Sequence, residues 1–194
     1  SLTTEEAQSP DPLLVWEMNG EPLTAEHGSP IRLVVPGQYA MKSVKWLTSI
    51  QAADEPFLGH FVRKYRYFAD ATESEAAPVG AIQVRSLVAE PLAGTSVSAG
   101  PVSVGGAAWS DGASIDRVEV SIDGGKSWTS ASVQSAASRF APVRWEATIE
   151  VERGRVTLIA RATDSLGRSQ PIEPRWNGNG YANNVVHPVA FTVV

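Results

Sequence analysis

Cysteine is absent from the 194 residues. This excludes disulfides, thiolate zinc sites, iron–sulfur clusters and cysteine nucleophiles within the chain. Basic charge is also scarce, with 16 Lys and Arg against 21 Asp and Glu for a net charge of -5. An acidic balance argues against a nucleic-acid partner, because a phosphate polymer needs a basic surface. No run of about eighteen apolar residues occurs, so no membrane-spanning helix is expected. The opening stretch, Ser1 to Pro12, is polar and acidic and lacks the apolar core of a signal peptide. A soluble protein of the bacterial cytoplasm or periplasm is the expectation, with the choice between the two left open.

What is present reads as a globular chain. Apolar residues make up 43% and charged residues 19%, a mixture able to bury a core. Sixteen glycines and thirteen prolines imply many turns and favour β-structure. Residues 1–12 read as a flexible lead-in. Residues 13–78 contain short apolar runs, Leu13 to Trp16, Ile31 to Val35 and Val44 to Leu47, broken by Asn19-Gly20 and Pro36-Gly37. They are too short and interrupted to enclose a core, and read as the end of a larger domain. Ala71 to Val79 is the candidate linker.

From residue 79 to 194 a two-residue period takes over. Val118, Val120 and Ile122 fall on one face, as do Trp145, Ala147, Ile149 and Val151. Val156, Leu158, Ala160 and Ala162 do likewise, and so do His187, Val189, Phe191 and Val193. With Ile82 to Val88 and Val97 to Trp109, about seven short strands separated by glycine turns are expected. That spacing predicts an antiparallel β-sandwich. Ser121-Ile122-Asp123-Gly124-Gly125-Lys126-Ser127-Trp128 matches the Asp-box hairpin. It occurs once, so its expected role is structural: Asp123 bonds turn amides and Trp128 packs under the turn.

His27, Arg32 and Lys45 are the candidate binding residues, three cationic or near-cationic groups on loops around short strands. Arginine supplies a fork of donors and lysine a point charge suited to a phosphate. Spacing alone favours the plainer reading, in which His27 caps a turn and both bases are solvated. His27, His60 and His187 give no metal site, and no carboxylate pair or Ser–His–Asp order identifies a catalytic residue.

Several stretches, taken together, carry a resemblance. Met18-Asn19-Gly20-Glu21-Pro22-Leu23, Glu26-His27-Gly28, Val34-Val35-Pro36-Gly37 and Val44-Lys45-Trp46-Leu47 resemble the last part of the molybdopterin-binding domain of sulfite oxidases. Val102 to Trp109, Val118 to Trp128, Ala160 to Asp164, Gln170-Pro171 and Trp176 to His187 resemble the dimerisation domain of the same family. The likeness runs from Leu13 to Val194, with its motifs in order. It implies a mainly β chain: an immunoglobulin-like sandwich over 79–194, preceded by a partial α/β molybdopterin-binding segment over 13–78.

The resemblance also implies function. The molybdenum cofactor would be bound by the full-length protein, with its metal-ligating cysteine outside residues 1–194 and no cofactor on this chain alone. His27, Arg32 and Lys45 match positions that contact the pterin phosphate, which reverses the plainer reading above. A homodimer is implied, with an electron acceptor that is not identified. Tyr65, Arg66 and Asn179 are substrate-pocket candidates. Sulfite-oxidising members carry an arginine where Asn179 stands, and a tyrosine after a basic pair where this chain reads Arg63-Lys64-Tyr65-Arg66-Tyr67. The substrate is therefore left open among sulfite, nitrate and other oxyanions. The alternative is a non-catalytic immunoglobulin-like binding or adhesion module, which leaves residues 13–70 without a role.

Overall fold

The computed structural model describes residues 1–67, 77–174, 177 and 179–194. Most of the candidate linker, and Trp176 of the resemblance motif, lie outside the described residues. The chain divides into two units, Ser1–Ile82 with Asn177–Ala182, and Gln83–Trp176 with Asn183–Val194.

The first unit is built from short elements: α1 (Thr4–Gln8), β1 (Leu13–Val15), β2 (Glu17–Met18), β3 (Glu21–Pro22), β4 (Arg32–Val34), α2 (His60–Lys64), β5 (Arg66–Tyr67) and β6 (Ala77–Pro78). Thr3 and Glu6 cap α1 reciprocally, each side chain bonding the other's backbone N–H. Asn19 (φ 56°) and Gly20 (φ 82°) form the two-residue turn joining β2 to β3. Positive φ at both central positions is what a tight hairpin requires, and Asn-Gly supplies it cheaply. Strand β4 pairs antiparallel with β1, setting Val15 opposite Arg32. Its other side meets Val44 through Leu33.

The second unit is a two-sheet sandwich. Its strands are β7 (Arg85–Glu90), β8 (Ser96–Val97), β9 (Gly100–Trp109), β10 (Ile115–Ser121), β11 (Thr129–Ser130), β12 (Ser132–Val133), β13 (Val143–Val151), β14 (Gly154–Asp164) and β15 (Val189–Val193). One sheet has the order β11-β10-β14-β15-β8, the other β12-β13-β9-β7. Trp145, Leu158, Val118 and Ala162 are wholly buried between them, with Phe191 and Val104 at 1% exposure. Burial of apolar area at about 25 cal/mol per Å² drives this closure.

The mainly β sandwich is as expected, with four local corrections. The run Val97 to Trp109 is two strands rather than one. The chain crosses from the five-stranded to the four-stranded sheet at Ser98-Ala99, just before Gly100 at φ 110°. Strand β8 pairs parallel with β15, so the sandwich is not purely antiparallel. Ile122 is 39% exposed while Ser121 is buried, because the Asp-box turn begins at Ser121 and ends the alternation. His187 is exposed and precedes β15 rather than sharing its apolar face.

The Asp-box itself forms as its chemistry dictates. Asp123 Oδ1 accepts from the amides of Lys126 and Ser127 at 2.9 and 3.0 Å, and Ser127 Oγ donates to Oδ2 at 2.6 Å. The Ser127 hydroxyl and amide, with Ser121, hold the Asp123 carboxyl well below the usual carboxylate range. Gly124 and Gly125 adopt φ 76° and 88°. Trp128 donates to Gly125 O at 3.0 Å, and the Arg161 guanidinium sits 4.1 Å from its ring centroid.

Two polar clusters tie the sandwich together. Asp164, 1% exposed, accepts from Ser110 Oγ at 2.9 Å and Arg168 Nε at 2.8 Å. Arg168 also forks onto both carboxylate oxygens of Asp111. Hydrogen bonding from Arg168 holds Asp111 below the ordinary aspartate range. Burial pushes the Asp164 carboxyl up, but bonds from Arg168 and Ser110 outweigh it and leave it lowered. Gln170, 2% exposed, accepts from Ser86 N at 2.6 Å and Ala162 N at 3.0 Å, one on each sheet, and donates to Asn184 O.

Candidate cofactor-binding site

The site begins with strand register. Leu33 and Val44 exchange both backbone bonds, at 2.8 and 3.0 Å. Antiparallel counting from that pair sets Arg32 directly against Lys45. Two like charges so placed repel each other. The strand then stops, because Trp46 takes φ 54°.

A tight turn closes over this pair. Thr24 O accepts from the amides of His27 and Ser29, and Ala25 O from that of Gly28, at 3.0 to 3.1 Å. Thr24 Oγ1 and His27 Nδ1 lie 2.7 Å apart, which anchors the imidazole and leaves its second nitrogen without a partner among the described residues. Three successive carbonyls of the turn are then capped by side chains. Trp46 Nε1 donates to Ala25 O at 2.7 Å, Lys45 Nζ to Glu26 O at 2.7 Å, and Arg32 Nη1 to His27 O at 3.1 Å.

Gly28 permits the close approach. A Cβ there would lie 3.0 Å from Lys45 Cβ and 3.2 Å from Arg32 Cβ, and its φ of 103° is strained for any other residue. The three predicted residues are thus brought to one place. Thr24, Gly28 and Trp46 join them, and sequence reasoning missed all three. The Thr24-x-x-His27 spacing and the Gly28 that follows were the available signals for the first two; Trp46 had none.

Charge at this place is uncompensated. Neither Arg32 nor Lys45 forms an ion pair with a described carboxylate, although the chain is acidic overall. Arg32 Nε is buried and has no hydrogen-bond partner among the described residues. An orphaned charged donor of this kind is costly to leave unsatisfied. No group of three or more His, Asp or Glu able to hold a metal occurs among the described residues.

Tyr65, Arg66 and Asn179 are arranged differently. Tyr65 follows α2, stacks on Phe61 at 5.7 Å and meets Tyr181 edge-on at 5.1 Å. Arg66 is half-buried and pairs in register with Pro78. Asn179 is exposed, in a turn closed by the Gly180 amide donating to Asn177 O at 2.9 Å. Tyr65 therefore lies beside a residue two positions from Asn179. Neither Tyr65 nor Asn179 bonds to the His27 group among the described residues.

Comparison with known proteins gives this geometry a context. Residues 1–61 match the oxidoreductase molybdopterin binding domain, and residues 77–194 match the Mo-co oxidoreductase dimerisation domain. The chain belongs to the sulfite oxidase family of molybdopterin oxidoreductases. It is 37% identical over 212 residues to sulfite oxidase of Arabidopsis thaliana, covering 97% of this chain and 54% of that protein. To mitochondrial sulfite oxidase of Rattus norvegicus it is 34% identical over 198 residues, covering 94% of this chain and 36% of that one. The sulfane dehydrogenase SoxCD of Paracoccus pantotrophus superposes with a TM-score of 0.84 at 30% identity, over 97% of this chain and 50% of its own. The chain thus spans about half or less of these relatives' lengths. None of them favours the adhesion-module alternative. No helix among the described residues is long and apolar enough to cross a membrane.

Proposed function

We propose that this chain contributes one wall of a molybdopterin site and the pairing domain of a homodimeric oxidoreductase that transfers oxygen atoms to or from a small oxyanion. Its parts are a lead-in over 1–12, a cofactor-binding segment over 13–78 and a dimerisation domain over 79–194. The observation that carries the reading is the cation pair. Arg32 and Lys45 oppose each other across a strand pair and, among the described residues, no carboxylate pairs with either and a buried donor of Arg32 has no partner. A dianionic phosphate would relieve both the repulsion and the orphaned donor.

Arg32 uses one of its five N–H donors on the turn and Lys45 one of its three. The remaining donors, with the unpartnered nitrogen of His27, are available to a phosphate. Bonds to the turn carbonyls hold both stems in place before binding, so little side-chain freedom remains to be lost. When bound, the cofactor supplies the oxygen-atom transfer, and the protein binds and orients it. The chain has no cysteine, so a metal-ligating thiolate comes from outside residues 1–194. Tyr65 and Arg66 are assigned to the substrate pocket together with Asn179, whose amide adds no charge. With arginine replaced by asparagine there, the proposed substrate is an oxyanion without commitment to sulfite.

In the full-length protein, replacing Arg32 and Lys45 together by alanine removes at least two charge-assisted bonds. Molybdenum content should then fall about a hundredfold at equal cofactor supply. Full retention of the metal by that double variant would sink the assigned roles. Residues 1–194 alone should hold no stoichiometric molybdenum by elemental analysis.

A further inference from the structure

We infer that Thr24 is a positioning residue of the cofactor site: its hydroxyl donates to His27 Nδ1, which leaves the imidazole proton on Nε2 and makes that nitrogen a donor for the phosphate. The inference rests on the cofactor-binding reading above and adds to it a residue and a proton position.

The backbone brings the two side chains together. His27 N donates to Thr24 O at 3.1 Å, closing a turn in which Thr24 is the first residue and His27 the last. Ser29 N donates to the same carbonyl at 3.0 Å. Both ends of the turn are anchored. Leu23, just before Thr24, is 6% exposed, and its amide donates to Trp16 O at 3.0 Å. Gly28, just after His27, is buried against the stems of Arg32 and Lys45. With the backbone held on both sides, the 2.7 Å contact between Thr24 Oγ1 and His27 Nδ1 is what orients the ring.

The direction of that bond follows from the partners within reach. A threonine hydroxyl carries one proton and two lone pairs. His27 Nδ1 is the one acceptor that Thr24 Oγ1 meets among the described residues. If Nδ1 held the proton, the hydroxyl would lose that acceptor, and Nε2 would present a lone pair to the phosphate oxygens. With the hydroxyl as donor, one tautomer of the neutral ring remains, protonated on Nε2. That N–H joins the unspent donors of Arg32 and Lys45, whose other bonds run to His27 O and Glu26 O. The ring can then donate to a phosphate without first taking up a proton. A hydroxyl that only braced the turn would act regardless of what stands at position 27, and this separates the two roles.

Imidazole nitrogen NMR of the 194-residue chain at about pH 8.5, above the ordinary histidine range, reads the proton position directly. His60 and His187 make no hydrogen bond among the described residues and serve as references. In the wild type and in Thr24→Ser, His27 should show Nε2 protonated and Nδ1 bare. Thr24→Val keeps the shape without the hydroxyl, and should move His27 toward the tautomer mixture of the other two rings. A wild-type proton on Nδ1, or an unmoved His27 in Thr24→Val, overturns the inference. In the full-length protein, Thr24→Val should lower molybdenum content about three- to tenfold at limiting cofactor supply, the equivalent of one hydrogen bond. Thr24→Ser should restore it. In a His27→Gln background the same Thr24→Val change should cost nothing further, because no imidazole is left to orient. An equal loss in both backgrounds would assign Thr24 to the turn alone. If the Arg32 and Lys45 double variant keeps its molybdenum, the cofactor reading fails and this role falls with it. If that variant loses the metal while Thr24→Val retains it in full, only the role given to Thr24 is overturned.

Discussion

The two units of this chain use apolar residues in opposite ways. In the sandwich, the strands place Trp145, Phe191, Leu158 and a ring of valines between two sheets, where almost no water reaches them. In the first unit, Leu23, Val35 and Val79 are buried, while Leu14, Trp16, Trp46, Ile50, Phe57 and Phe61 stand between 48% and 73% exposed. One region is a self-sufficient core. The other has a comparable supply of large apolar side chains but no second layer to cover them. Exposed apolar surface of that extent is what a contact surface presents. The same region carries the uncompensated cations, so its unsatisfied groups are both apolar and charged.

The contrast can be broken by truncation. Trp145→Ala should cost about 3–5 kcal/mol, the range for emptying a large aromatic site in a packed core. Leu23→Ala should cost about 2 kcal/mol and act locally, because its surroundings collapse more easily. Urea unfolding followed by circular dichroism measures the first, and hydrogen exchange at residues 16–34 the second. Equal global losses would show that the first unit is packed as tightly as the sandwich.

Removing the cation from the sandwich's buried ion cluster should rank between those two truncations. Arg168→Met leaves the fully enclosed Asp164 carboxylate with a lone Ser110 hydroxyl and turn amides, at about 3 kcal/mol. The cluster also makes stability depend on pH. Asp111 and Asp164 have folded values lowered from the ordinary 3.8. Their contribution is therefore complete above that value and is lost as pH falls below it. Thermal melts between pH 7 and 2 should show a steeper acid decline in the wild type than in Arg168→Met. Parallel curves would mean that the pair does not couple to folding.

Gln170→Ala should cost about 2 kcal/mol, since it leaves the buried amides of Ser86 and Ala162 without an acceptor. A loss under about 0.5 kcal/mol would indicate that water replaces the side chain there. The smallest effect belongs to the first unit. Trp16→Ser should change stability by less than about 0.5 kcal/mol, as exposed substitutions do, yet reduce binding of an apolar fluorescent dye. A larger loss of stability would place Trp16 in a core rather than on an open surface.

Interactions confined to a few neighbouring residues were legible in advance. Asn19-Gly20 makes its hairpin, and Asp123 organises its turn. Trp145, Ile149 and Val151 face inward as their alternation implies. Where a turn interrupts a strand, periodicity misleads, as at Ser121-Ile122 and at Ser98-Ala99. The convergence of His27, Arg32 and Lys45 was suggested by family resemblance, but spacing alone favoured solvated bases. Their meeting depends on the register of Leu33 with Val44 and on the absence of a side chain at Gly28. Trp46 had no sequence signal, because its backbone conformation turns its indole onto a carbonyl 21 residues away.

The amino-acid sequence by itself determined the turns, the inward faces of the longer strands and the acidic balance, because these depend on local backbone preference and on side-chain type. Tertiary structure alone decided which strands share a sheet, how Gln170 joins the two sheets and why two cations face each other at the site. Those outcomes depend on pairing between residues distant along the chain, and each such pairing is set by the packing of whole elements rather than by any one residue's own tendency.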